Sequence, residues 1–275
     1  MSRLSPRFYD RRVARQLHTN FMCIYTYCRY GWPMRTDHPA YRLFTAEECT
    51  FLERMFVQHP RIGEGFDMFL SIPAEQRLSF AHEALQVMPR NGWVRRFVKH
   101  PETVYEHLKD VARMAQTLPL PPNLGGLTED IARRRLVFMA ALHDVPEAIA
   151  TDFTPHCAIA PEDKDRLELL AGKVIFASNS LRMWRLQEYI EQVTPLSHTL
   201  YDLDKLSAVR QALVYEGQYP EKRGKLYDEF RSYALPRLKT DEGRQLAAAI
   251  DAQAEAIREE GRQKSLKEKF GGWAR

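Results

Sequence analysis

Apolar residues that return every three to four positions, with no regular alternation closed by hairpin-turn dipeptides, restrict this chain to helices packed on helices. Thr45-Ala-Glu-Glu48 has the capping-box pattern and leads into Phe51, Leu52, Met55 and Phe56 on one face, a helix that Pro60 should end. A loop is expected around Gly63 and Gly65. Pro73 then suits the first turn of a second helix, with Leu78, Ala81, Leu85 and Met88 at helical spacing and Pro89 as its stop. A third helix over Thr103 to Leu118 puts Val104, His107, Leu108, Val111 and Ala115 on one face, so His107 points inward. A fourth starts near Thr128, presents Ile131, Leu136, Val137 and Ala140, and runs through His143-Asp144 to Ile149. Further helices are expected at 162–177, 181–192, 200–216, 223–233 and 241–260.

A chain of 275 residues with 44% hydrophobic content can bury a sizeable core unaided. Lysine and arginine number 40 against 36 acidic residues, a mildly basic balance that suits a small anion and falls short of a nucleic-acid coat. Four cysteines do not make a disulfide framework. Cys23, Cys28, Cys49, His18 and His38 could be drawn into a zinc site, but their spacing lacks the paired ligands of one, and cysteines packed among aromatics are the better reading. The run Leu136 to Leu142 is too short to span a bilayer. Arg3, Arg7, Arg11, Arg12 and Arg15 are interrupted by Asp10 with no apolar stretch behind them, so no secretory signal is expected and a cytoplasmic setting is.

His107, the adjacent pair His143-Asp144 and Asp204 all fall on helices with apolar faces, where buried imidazoles and carboxylates need partners. A single such histidine is more often a satisfied core residue than a ligand, so the set has to be judged together. Two imidazoles and two carboxylates suit one divalent ion of the manganese, cobalt, zinc, iron or magnesium kind. Four protein ligands leave positions for water on an ion that prefers six, and the ion both acidifies that water and offsets charge on phosphoryl oxygens.

Pro89-Arg-Asn-Gly-Trp-Val94, Pro101-Glu-Thr-Val-Tyr-Glu-His107, Leu142-His-Asp-Val-Pro-Glu147, Asp152-Phe-Thr-Pro155 and Asp202-Leu-Asp-Lys205 stand in the order and spacing of the HD-domain 5'-deoxynucleotidases, which this chain resembles from about Ala74 to Glu260. The periodicity gives an all-α chain and the resemblance an HD-domain helical bundle at 73–260; it leaves the N-terminal extension at 1–72, expected to be helical, unexplained, and the composition of 261–275 reads as a basic, frayed tail. The resemblance makes His107, His143, Asp144 and Asp204 the metal ligands and Glu147 the catalytic carboxylate beside Asp144, four positions after His143 on one helical face. Arg90 falls on its phosphate-binding arginine, with Arg95 and Arg96 as rivals, and Asp152 on a carboxylate that contacts the sugar. His156 and His198 are not expected to ligate. Thr151 stands where relatives commonly carry glycine, and a β-branched residue disfavours positive φ, so the pocket near Asp152 is expected to differ. The activity implied is hydrolysis of (deoxy)nucleoside monophosphates, with a triphosphohydrolase and a non-catalytic nucleotide sensor as alternatives. A small nucleotide is the expected partner, nucleic acid and membrane are not, and a homodimer is implied by the resemblance alone.

Overall fold

The structure, a computed structural model, describes residues 42–177 and 179–270; Cys23, Cys28, His18 and His38, and the N-terminal arginines, lie outside the described residues. Twelve α-helices and no strand occur among the described residues, the all-α class expected. The chain divides into two compact units, Met1–Met68 and Phe69–Arg275.

In the first unit, α1 (Ala46–Gln58) opens on the expected capping box, with the Glu48 N–H donating to Thr45 Oγ1 at 3.2 Å and the Thr45 N–H to Glu48 Oε2 at 2.9 Å. The expected loop is instead a second helix, α2 (Pro60–Ser71), which continues past the unit boundary. Gly63 acts there as a packing residue: a Cβ on it would lie 3.0 Å from Cγ of Phe56. That closeness brings the Phe66 ring to 5.3 Å from Phe56 and 6.2 Å from Phe44.

The second unit continues with α3 (Arg77–Val87), α4 (Asn91–Val94), α5 (Val104–Thr117), α6 (Glu129–Ala140), α7 (Glu147–Ala150), α8 (Pro161–Phe176), α9 (Ser180–Glu191), α10 (Pro195–Gln218), α11 (Leu226–Ala234) and α12 (Asp241–Phe270). The 24-residue α10 is the axis, with α5, α6, α9, α11 and α12 packed on it. Leu200, Leu203 and Leu206 of α10 meet Val111 and Ala115 of α5 and Leu136 and Met139 of α6 in one core. The face of α6 is rotated from the expected one: Ala132, Leu136, Met139 and Ala140 are buried, whereas Ile131 is 52% exposed. This helix ends at Ala140, so His143 and Asp144 stand in a turn and not on a helix running to Ile149. Pro146, which has no N–H and disfavours helix in the residue before it, separates that turn from α7. At the other end, α12 continues to Phe270, into the stretch expected to fray. No helix among the described residues is long and apolar enough to cross a membrane.

Candidate metal centre

Three elements bring the four sequence-selected groups together. The Thr103 capping box starts α5 and sets His107 one turn in; the turn after α6 supplies His143 and Asp144; α10 supplies Asp204. Nε2 of His107 lies 3.0 Å from Asp204 Oδ1 and 3.5 Å from Asp144 Oδ2, and Nε2 of His143 lies 3.3 Å from the same Asp144 oxygen. One donor atom from each residue falls within 4.8 Å of all the others. Ligands about 2.1 Å from a central ion are roughly 3 to 4 Å apart, so the cluster is close to the size an ion requires.

The histidines offer lone pairs to that centre. Nδ1 of His143 is 2.8 Å from the carbonyl of Ala140, which can only accept, so Nδ1 carries the proton. The carbonyl is available because α6 ends there. Nε2 of His143 is left buried with no hydrogen-bond partner. Burial alone would push His143 down, but the carboxylates of Asp144 and Asp204 and the Ala140 carbonyl outweigh it and hold the imidazole above its ordinary value. Burial likewise pushes Asp144 up, and His143 overrides it and holds that carboxyl well below the usual range. Asp204 is lowered as well, with burial opposed by Lys205 and His107. Two imidazole nitrogens and two ionised carboxylates converging out of water make an electron-rich cage, and this donor set fits a divalent cation.

Around the cage the structure separates the remaining candidates. Arg90 is held at its backbone by the Glu102 carbonyl, 3.0 Å from its N–H, and its Nη1 lies 3.8 Å from Glu102 Oε1 with no hydrogen-bond partner. Burial opposes its charge, but Asp152, Glu102, Asp204 and Asp144 all face it and keep it protonated. The rivals are placed otherwise: Arg96 pairs with Glu229 and donates to the Gly92 carbonyl at 2.6 Å, and Arg95 is exposed. Asp152 accepts the Asn91 N–H at 2.5 Å and its own carbonyl accepts the Asn91 amide at 2.7 Å, which ties the start of α4, where Arg90 is the N-cap, to the segment just after α7. Glu147 opens α7 instead of sharing a helix with His143; it is 4% exposed and its Oε2 has no partner. Burial, Asp144, Asp152 and Glu168 together push its carboxyl well above the usual range.

Thr151 adopts φ 69 and ψ 158, the positive φ that glycine accepts easily and a β-branched residue resists. Nε2 of His198 lies 2.8 Å from the Gln192 carbonyl, which only accepts, so that nitrogen carries a proton and donates it there. His156 is exposed. Sequence reading gave no role to Tyr189 and Lys205, which reach Asp204 Oδ2 at 3.3 and 2.6 Å, or to the half-buried Lys164 paired with the buried Glu168 at 2.5 Å beside Glu147. The i, i+4 spacing of Lys164 and Glu168 was the one available signal.

A family model described as HD domain matches residues 82–241. The chain is 33% identical over 143 residues to the 5'-deoxynucleotidase HDDC2 of Dictyostelium discoideum, covering 49% of this chain and 73% of that one. It is 32% identical over 157 residues to the 5'-deoxynucleotidase HDDC2 of Homo sapiens, covering 54% and 72%. Among solved structures it is similar to the PH0347 protein from Pyrococcus horikoshii OT3, with a TM-score of 0.51 and 26% identity, covering 65% of this chain and 97% of that one.

Proposed function

The chain belongs to the HD-domain family, and on that premise we propose that it is a metal-dependent phosphohydrolase that removes the 5'-phosphate from nucleoside monophosphates, deoxynucleotides above all. The observation that carries this reading is the convergence of two imidazole nitrogens and two carboxylates in a buried cage beside Arg90 and Glu147. His107, His143, Asp144 and Asp204 would hold one divalent ion, which when bound acidifies water and offsets charge on phosphoryl oxygens.

The remaining work falls to the chain itself. Nη1 of Arg90 has no hydrogen-bond partner in the protein, and the planar fork suits two oxygens of a phosphate dianion. Burial and acidic neighbours raise the Glu147 carboxyl well above the usual range, which favours the protonated form that can give a proton to the departing 5'-oxygen. Asp152 spends one oxygen on the Asn91 N–H and has its other for a sugar hydroxyl. The products are a nucleoside and inorganic phosphate.

A phosphate-release screen over ribo- and deoxynucleoside mono-, di- and triphosphates, each with manganese, cobalt, zinc, iron and magnesium, tests the reading. Orthophosphate from monophosphates is expected. Triphosphate as the product would replace it with a triphosphohydrolase, and silence on every substrate with a nucleotide-sensing protein. Asp144→Ala should abolish turnover in a folded chain, and full turnover by a folded Glu147→Ala would remove that residue from the mechanism. The same reading carries a homodimer, which light scattering would report as twice the 32.1 kDa chain mass, and a cytoplasmic setting, supported by the free thiols of Cys49 and Cys157.

A further inference from the structure

His143 has its tautomer fixed by a backbone carbonyl, but His107 is served differently. Its Nδ1 lies 3.4 Å from Ser207 Oγ, Ser207 Oγ lies 2.8 Å from Asp110 Oδ2, and Asp110 Oδ1 is paired with Arg210. The spacing is helical on both sides: Asp110 follows His107 by three positions on α5, and Ser207 and Arg210 follow Asp204 at steps of three on α10. The line runs from His107 and Ser207, both fully buried, to Arg210 at the surface.

Counting protons gives the line a direction. A serine hydroxyl has one hydrogen and two lone pairs, and a carboxylate paired with arginine can only accept. The Ser207 hydrogen therefore goes to Asp110, Oγ offers His107 a lone pair, and Nδ1 of His107 must carry the imidazole proton. Its Nε2 is then bare toward Asp204 and Asp144. We propose that Asp110, acting through Ser207, is a positioning residue that fixes the tautomer of His107 and keeps its Nε2 open to the metal. The proposal rests on the metal-centre reading above.

The direction can be reversed by one substitution. In Asp110→Asn, the side-chain oxygen stays with Arg210, which only donates, and the amide NH2 turns to Ser207. Ser207 then accepts from that NH2, its hydrogen is released from the carboxylate and can point at His107 Nδ1, and the imidazole proton then moves to Nε2, where it blocks ligation. Asp110→Ala leaves the hydroxyl free to rotate. A purely steric role would make the isosteric asparagine the milder change; the relay makes it the more severe one.

Mn2+ binding to the full chain, followed by the electron-paramagnetic signal of free Mn2+, with far-ultraviolet circular dichroism as the folding control, tests this. Wild-type chain should bind Mn2+. Asp110→Asn should bind it about 10- to 100-fold more weakly, and more weakly than Asp110→Ala. Ser207→Ala, which deletes the hydroxyl without changing charge, should lose about tenfold and decides the matter if Asp110→Asn does not fold. Wild-type affinity in Ser207→Ala, or tighter binding by Asp110→Asn than by Asp110→Ala, overturns the relay. A wild-type chain that takes no Mn2+ overturns the metal reading and the relay with it.

Discussion

Glu147 combines near-complete burial with three acidic neighbours, and its cost can be read as a pH dependence. Its folded value lies well above the ordinary 4.5, so between 4.5 and that value the folded chain holds the extra proton and stability falls as pH rises. Below 4.5 both states are protonated and the effect is absent. In metal-free protein, Glu147→Gln should therefore melt higher than wild type at pH 8 and at the same temperature at pH 4; an equal gap at both would tie the gain to something other than ionisation. The four candidate ligands were legible because His107, the pair His143-Asp144 and Asp204 stand in motifs of one order and spacing, and a set of imidazoles and carboxylates brought together needs a common explanation. Ser207 was not. It lies 100 residues from His107, and a serine at helical spacing carries no signal until α5 and α10 are packed together. Tyr189 was illegible for the same reason, since it meets Asp204 from another helix, whereas Lys205 stood next to Asp204 in a quoted motif without a role.

Most helices could be read from their period and their caps: Thr45, Thr103 and Thr128 each stand at an N-cap and accept from the backbone N–H three residues on. The helix over Pro60–Ser71 was lost because glycine reads as a breaker when its close approach to Phe56 is not visible. Asp202 and Asp204 show what a helix does to a two-residue spacing. About 200° apart around the axis, they serve opposite faces. Asp204 joins the candidate metal centre, while Asp202 accepts the N–H groups of Lys239 and Thr240, both at 2.8 Å, just before α12. At the end of α7, Thr151 holds a positive φ that its β-branched side chain resists, at a cost of roughly 1–3 kcal/mol. Thr151→Gly should relieve that strain and, after the glycine entropy penalty, stabilise the chain by about 1 kcal/mol in urea titration. A destabilised variant would mean that the threonine side chain has contacts worth more than the strain.

At the scale of the whole molecule, α10 ties stability to the metal, because one helix carries both the core leucines and Asp204. The unfolded chain does not hold these four groups together, so a cation bound by the folded cage stabilises the fold. Binding to the folded state alone adds about 2.7 kcal/mol at a hundredfold excess over Kd, or roughly 5–11 °C in Tm for a unit of this size. Calorimetry with and without chelator checks it, and a Tm indifferent to Mn2+ would contradict the cage. Trp93 gives this site an optical reporter. Its indole is 1% exposed and donates at 2.8 Å to Oε1 of Glu102, the carboxylate oxygen that faces Arg90. A phosphate that draws Arg90 toward itself changes the charge beside the indole, so ligand occupancy should register as a shift in ultraviolet emission from the unlabelled protein, with no turnover required.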